Sequence, residues 1–247
     1  MKNEIIYGRQ PVRELLRANR RTFNGLSLLQ TRKPTPDLAE IEGLARKMGI
    51  HINFVSRQQL DQATDSRNHQ GVMMDASAYP TVDFDDLVAS AKKDGNSAFI
   101  LLLDHLEDPQ NLGSLLRTAE AIGVSGVVIP SDRAASVTPS AVRASAGATE
   151  WIDVAVVTNL VRSMQTLQKE GFWLTGLEAM PEAQNPAKID LCGPVGLVVG
   201  GEGKGMGRLV RETCDFLMKL PMVGNVTSYN ASVAGAMAMY EVVRQRG

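Results

Sequence analysis

From residue 97 onward the apolar residues come in short unbroken runs rather than in alternation. Phe99–Leu103 is the first, and Gly126–Ile129, Ile152–Val157, Phe172–Leu177, Leu197–Val199 and Phe216–Leu220 follow. A strand with one wet face alternates apolar and polar residues, whereas an unbroken run needs cover on both faces. Helix-like stretches lie between most of the runs: Leu112–Ile122 closed by Gly123, Leu160–Glu170 stopped by Gly171, and a partly helical Ala134–Ala148. Strand–helix alternation of this kind predicts a parallel sheet with helices on both sides, which binds ligands at the carboxyl ends of its strands. The segments Asp104–Asn111, Gly200–Met206 and Met222–Asn230 are then expected at that end.

The chain has 247 residues, enough for one large domain or two small ones, and its 44% apolar and 21% charged content is that of a globular protein. Residues 1–78 read as a separate small α/β unit. Gly8–Pro11 opens a helix with Val12, Leu15 and Leu16 as its apolar stripe; Leu26–Leu29, Ile50–Val55 and Gly71–Met74 are strand-like; Thr35–Asp37 starts a helix through Met48, and Ser56–Leu60 another. Residues 79–96, with Tyr79–Pro80, a short acidic helix at 83–93 and the turn cluster Asp94–Asn96, are expected to be a linker. The third segment is 97–247.

No apolar run approaches the ~18–20 residues of a membrane span, and the N-terminus lacks an apolar export signal. A cytoplasmic protein without membrane contact is expected. Cys192 and Cys214 have no C-x-x-C spacing, and His51, His69 and His105 stand singly, so no metal site is expected. Net charge is −1, but a basic excess sits in the N-terminal third. Arg9, Arg13 and Arg17 follow each other at helical spacing, beside Arg20 and Arg21. Two readings stand for that face: a solvated helix surface, or a patch that contacts RNA phosphates.

The last fifty residues carry two loops rich in Gly and small polar residues, Gly200–Met206 and Met222–Asn230, each after an apolar run. Such loops bring main-chain groups close to a ligand. Neither a phosphate-cradling loop nor a dinucleotide fingerprint fits: the former would need Gly at Val198 and Ser or Thr at Gly205, the latter Gly at Met206 or at Arg208. After Phe99–Leu103, Asn111 is placed to cap the next helix, and Gly113 and Arg117 share one of its faces. An arginine in the first turns of a helix opposes the macrodipole and so calls for an anionic partner, either Glu107 or Asp108 or a ligand.

Asn111-x-Gly113-x-x-x-Arg117, Val199–Met206 and Leu220-Pro221-Met222-x-Gly224-x-Val226-x-Ser228-x-Asn230-x-Ser232 resemble, in order and spacing, the three motifs of the SpoU/TrmH family of S-adenosylmethionine-dependent RNA ribose 2′-O-methyltransferases. The segments IIYGRQPVRELL and HQGVMM resemble the small RNA-binding domain of the RlmB branch, which methylates a guanosine of 23S ribosomal RNA. The resemblance covers nearly the whole chain. It implies a C-terminal trefoil-knotted catalytic domain behind a small α/β RNA-binding domain, and a homodimer acting on ribosomal RNA. Periodicity shows no knot, and the general rule against threaded chains argues against one.

On the same resemblance, Gly200, Leu220 and Tyr229 hold S-adenosylmethionine by main chain, Leu220 and Met222 wall its adenine, and Asn230 contacts it. Arg117, Asn111, Glu202, Ser228 and Asn230 form the polar catalytic set, while Arg9, Arg13 and Arg17 dock RNA. The sequence departs from the family pattern at Tyr229, where an aliphatic residue is common, and at Ala231, where Val is common. Arg117 has two readings, general base or electrostatic clamp; the clamp is favoured, since neutralising a guanidinium at pH 7 costs about 7 kcal/mol. Glu202 is expected to hydrogen-bond loop amides and Asn230, or to hold Arg117. Asn230 and Ser228 are also candidates for plain helix caps. The alternatives are a transfer-RNA ribose methyltransferase and a non-catalytic RNA-binding protein of the same fold.

Overall fold

The computed structural model describes residues 3–65, 68–203 and 205–247. Lys204, in the second motif, lies outside them. The chain divides into two compact units. The first comprises Met1–Pro80 and Val137–Trp151; the second comprises Thr81–Ser136 and Ile152–Gly247.

In the first unit, β1 (Asn3–Tyr7), β2 (Phe23–Leu29), β3 (Ile52–Val55) and β4 (Val72–Ser77) form a sheet in the order β1-β4-β2-β3. β4 runs against β1 and β2, and β3 runs parallel to β2. Hence β1, β2 and β3 all end on the same side. The helices α1 (Arg9–Ala18), α2 (Pro36–Lys47) and α3 (Arg57–Ala63) start from that side. The stripe Val12, Leu15 and Leu16 is buried as its spacing predicts, with Leu38 and Ile41 of α2 and Leu26 and Leu28 of β2. Sequence patterning does not reveal β1, whose residues follow neither an alternating nor a continuous apolar pattern.

Two boundaries differ from expectation. Residues 83–93 do not act as a tether. Asp83 caps α4 (Phe84–Ala91), and Leu87, Val88 and Ala91 are buried in the core of the second unit. Gly126 has no side chain because a Cβ there would come within 2.8 Å of Leu87. Conversely, α6 (Pro139–Ala144) and the turn after it belong to the first unit. They are fastened by Arg21, whose fully buried guanidinium bonds Glu150 at 2.6 and 2.9 Å and Glu4 at 2.8 Å.

The second unit holds six strands: β5 (Phe99–Asp104), β6 (Gly126–Pro130), β7 (Val154–Val157), β8 (Trp173–Leu177), β9 (Val195–Gly200) and β10 (Phe216–Met218). Their order is β10-β8-β9-β5-β6-β7, and every pairing is parallel. The continuous runs therefore mean what continuous runs mean in such sheets. Ile100, Leu102, Val128 and Val198 face one core with α4, with α7 (Leu160–Lys169) and with Val210 of α8 (Arg208–Thr213). On the other face α5 (Pro109–Ala121) packs on α9 (Ala231–Arg246), so closely that a Cβ on Gly235 would lie 2.5 Å from Leu115. The runs at 197 and 216 are not neighbours: β8 lies between β9 and β10.

Candidate active site

At the carboxyl end of this sheet the register of β5 against β9 sets Asp104 opposite Gly200. Gly201 donates its N–H to the Asp104 carbonyl at 2.8 Å. The approach leaves no room for a side chain: a Cβ on Gly201 would stand 2.2 Å from the His105 carbonyl oxygen. The loop then doubles back, with Gly205 N–H bonding the Gly201 carbonyl at 3.2 Å, and Gly203 and Gly205 adopt φ of 78° and 63°. The buried Asp104 side chain accepts from Gly207 N–H at 2.7 Å and bonds the His105 ring at 2.5 Å, so Asp104 holds one end of the turn by its carbonyl and the other by its carboxylate.

A cavity of about 490 Å³ opens there, within the size range of small-molecule sites. Gly200–Gly203 and Gly205 form one wall; Leu220, Met222 and Ser228–Ala231 form another; Leu177–Ala179 complete it. Gly200, Glu202, Leu220, Met222, Ser228, Tyr229 and Asn230 are thus brought together. Tyr229 donates its hydroxyl to the Pro221 carbonyl at 2.7 Å, closing the second loop across its neck. The residue that departs from the family pattern thereby acquires a use an aliphatic side chain could not serve. Asn230 caps α9, with its Oδ1 accepting from Ser232 N–H at 3.0 Å and Val233 N–H at 3.3 Å. Ser228 makes no cap.

Two expectations about partners change. The cap of α5 is Asp108, which accepts from Gln110 N–H at 3.0 Å; Pro109 takes the first helical position. Asn111 is therefore inside the helix, buried, and free to donate its Nδ2 to Glu202 Oε1. That bond replaces both partners expected for Glu202, namely Asn230 with the loop amides and Arg117. It ties the first motif to the second.

Arg117 does not line the cavity. It is exposed on α5 and has no hydrogen bond or ion pair among the described residues, so neither Glu107 nor Asp108 holds it. In the first unit the opposite holds. Arg13 bonds Asp37 at 2.6 Å and approaches Glu40 to 3.1 Å, and Arg17 reaches Glu40 at 2.7 Å and Glu14 at 3.2 Å. Arg9 meets Asp37 at 3.4 Å and the Gln70 carbonyl at 3.1 Å. The face expected to be solvated or to bind phosphate is an ion-pair seam between α1 and α2. Hydrogen bonding from Arg13 holds the Asp37 carboxyl below its ordinary pKa.

Glu178, missed in the sequence, lines the cavity with its carboxylate against the glycine turn, accepting from Met206 N–H at 3.3 Å. It follows directly on β8, and a polar residue at a strand's carboxyl end was the available signal. Cys214 is excluded as a nucleophile, because burial pushes its thiol up to about 12. Among the described residues no group of three or more His, Cys, Asp or Glu could hold a metal ion, and no helix is long and apolar enough to cross a membrane.

Fold and site define a parallel α/β unit with a main-chain-walled ligand cavity, in a chain that also holds a smaller α/β unit. The SpoU rRNA Methylase family matches residues 98–240, and a second family, RNA 2′-O ribose methyltransferase substrate binding, matches residues 5–82. The chain belongs to the SpoU family of methyltransferases. It is 44% identical over 222 residues to the 23S rRNA (guanosine-2′-O-)-methyltransferase RlmB of Xanthomonas campestris, covering 89% of this chain and 88% of that one. It is similar in fold to AviRb, a SpoU methyltransferase of Streptomyces viridochromogenes solved in complex with AdoMet, with a TM-score of 0.82 at 23% identity over 99% of this chain and 90% of that one. An AdoMet-bound rRNA methyltransferase from Sinorhizobium meliloti gives a TM-score of 0.81 at 20% identity, over 98% and 87%.

Proposed function

We propose that the chain transfers a methyl group from S-adenosylmethionine to the ribose 2′-hydroxyl of a guanosine in 23S ribosomal RNA, in the cytoplasm and as a homodimer. The observation that carries this is the cavity lined by the second and third motifs, to which the first is tied through the bond from Asn111 to Glu202. Its residues suit the cofactor. Glycines leave the main chain of Gly200–Gly203 open, Leu220 and Met222 offer an apolar wall, and the carboxylates Glu178 and Glu202 complement a cation. When bound, the cofactor supplies a methyl group activated by a sulfonium.

The chain's own task is then to hold the ribose oxygen in line with that methyl and to let its proton leave. Arg117 serves as an electrostatic clamp on an RNA phosphate and on charge developing at the oxygen, and the proton goes to solvent. The exposed position of Arg117 suits a group that meets substrate. It stands on α5 next to Thr118 and one turn from Ser114, two residues that line a shallow face with Val233, Met237 and Tyr240 of α9. Val233 is 49% and Tyr240 63% exposed. A second copy would cover that apolar face and bring Arg117 to the interface. The knot is part of this proposal, supported by the strand order, in which late β9 enters between β5 and β8.

The test is transfer of labelled methyl to unmodified 23S ribosomal RNA beside unmodified transfer RNA, with the position mapped. Label on one guanosine ribose of the ribosomal RNA is expected. Label in transfer RNA alone discards the substrate, and absence of cofactor binding discards the reading of the cavity. Arg117→Ala is expected to lower turnover at least 100-fold with cofactor affinity unchanged, which near-normal turnover would refute.

A further inference from the structure

Between the apolar wall and the glycine turn of the second unit's cavity stands a carboxylate with acceptor capacity to spare. Glu178 follows directly on β8, whose last residue, Leu177, also lines the cavity. Its main-chain N–H is donated to the Met218 carbonyl of β10 at 2.9 Å, so the sheet sets its place. The side chain is set as well. Oε2 accepts from Met206 N–H at 3.3 Å, and a Cβ on Gly205 would stand 2.9 and 3.1 Å from Oε1 and Oε2. The carboxylate lies flat on the turn only because Gly205 has no side chain. An ionised carboxylate has about four acceptor sites. That of Glu178 receives one bond, and its Oε1 has neither a donor nor a cation among the described residues.

Its position along the cavity decides which part of the cofactor it can meet. Ala179, the next residue, shares a second depression with Leu220 and Met222, so Glu178 borders the apolar wall assigned to adenine. At the other end Glu202 is bonded to Asn111 of α5, the helix that carries Arg117, and the reacting methyl belongs at that end. In S-adenosylmethionine the ribose joins the adenine to the sulfonium arm. Glu178 lies between the two ends, against the glycine turn. The vicinal 2′- and 3′-hydroxyls of that ribose offer two O–H donors side by side, which suits a carboxylate with an idle oxygen. Parallel α/β folds that bind dinucleotides use an acidic residue toward ribose in the same way.

We propose that Glu178 grips the cofactor's own ribose, its Oε1 accepting from the vicinal hydroxyls, and that it sets the preference of the cavity for an adenosyl group with an intact diol. This rests on the reading of the cavity as the S-adenosylmethionine site. The contact is to hydroxyls and not to the sulfonium, so it serves the methylated cofactor and its demethylated product alike. Glu202 is the carboxylate on the side of the reacting methyl.

The experiment is calorimetric titration of the full chain, without RNA, with S-adenosylmethionine, S-adenosylhomocysteine and the 2′,3′-dideoxy form of S-adenosylhomocysteine. Wild type is expected to bind S-adenosylhomocysteine about tenfold or more tightly than its dideoxy form. Glu178→Gln keeps an oxygen for Met206 N–H and loses the charged acceptor toward the cavity. It is expected to weaken S-adenosylmethionine and S-adenosylhomocysteine by about tenfold, within roughly threefold of each other, and to leave the dideoxy form nearly unchanged, so that the preference for the diol falls below about threefold. Wild type that binds the dideoxy form as tightly as the parent overturns the proposal without any variant. So does a variant that weakens all three ligands equally, since Glu178 would then only brace the glycine turn. A loss confined to S-adenosylmethionine assigns the contact to the sulfonium and overturns it, as does a variant that binds like wild type. Wild-type protein that binds none of the three overturns the reading of the cavity as well.

Discussion

The arginines that the sequence singles out meet opposite fates in the two units. In the first, Arg13 and Arg17 are taken up by Asp37, Glu40 and Glu14, and Arg21 is sealed between Glu4 and Glu150. In the second, Arg117 stands in the open with no partner among the described residues. Helical spacing marked all of the former as a candidate surface, but spacing along one helix says nothing about what the next helix brings to face it. A cation is available for function only where the fold has not already given it an anion. The motif-one arginine meets that condition, and so does Lys33 in the small unit among the described residues, whereas Arg57 has Asp61 at 3.8 Å.

The comparison breaks first at Arg21–Glu150. Both side chains are fully buried, and Arg21 also lies 5.3 Å from the centroid of the Tyr79 ring. Glu150→Ala leaves a buried guanidinium with only Glu4 and the Ser77 carbonyl, and a loss of about 3–5 kcal/mol in chemical denaturation is expected. A loss under about 1 kcal/mol would mean that this arginine is as spare as Arg117. Burial also raises the Glu150 pKa against the pull of Arg21. The folded state then binds the proton more tightly than the unfolded chain, so this group's contribution is full below about pH 4 and declines as pH rises. Next in size is Gly201→Ala, whose methyl would collide with main chain rather than with a flexible side chain. Calorimetry should show cofactor affinity down at least tenfold, with the first unit's stability untouched.

Smaller effects sharpen the contrast. Hydrogen bonding from Arg244 lowers Glu241 to about 2, so its contribution is present above about pH 4 and is lost as pH falls through 2. Glu241→Gln should flatten the acid-unfolding profile in that window, and an unchanged profile would refute the pairing. Smallest is Arg17→Ala. As a half-exposed member of the seam it should cost under about 1 kcal/mol and change RNA affinity less than twofold. A tenfold loss of RNA binding would restore the α1 face as the docking surface.

Most of the second unit was legible, because unbroken apolar runs have few other meanings. Neighbour relations were not. The runs at 197 and 216 look adjacent along the chain, while β8 takes the place between them, and pairing order is a long-range property that no local pattern records. At the site, the cavity-lining residues of the second and third motifs were legible from loop composition. The Asn111–Glu202 bond was not, because a proline at the first helical position moved the cap back to Asp108 and released Asn111 inward. Glu178 escaped because a single glutamate after a strand carries no periodic signal. The idle hydroxyl of Thr35 is invisible in sequence altogether: the residue reads as an ordinary helix cap, and only coordinates show that it caps nothing.

The return of Val137–Trp151 to the first unit has an evolutionary side. The polypeptide passes from one unit to the other three times, at 80/81, 136/137 and 151/152, although the family match over 98–240 is continuous. A module joined by one peptide can be cut away or exchanged by a single recombination event. Here such a cut would leave Arg21 in one product and Glu150 in the other. A graft that exchanges the first unit must therefore carry both of its segments, 1–80 and 137–151.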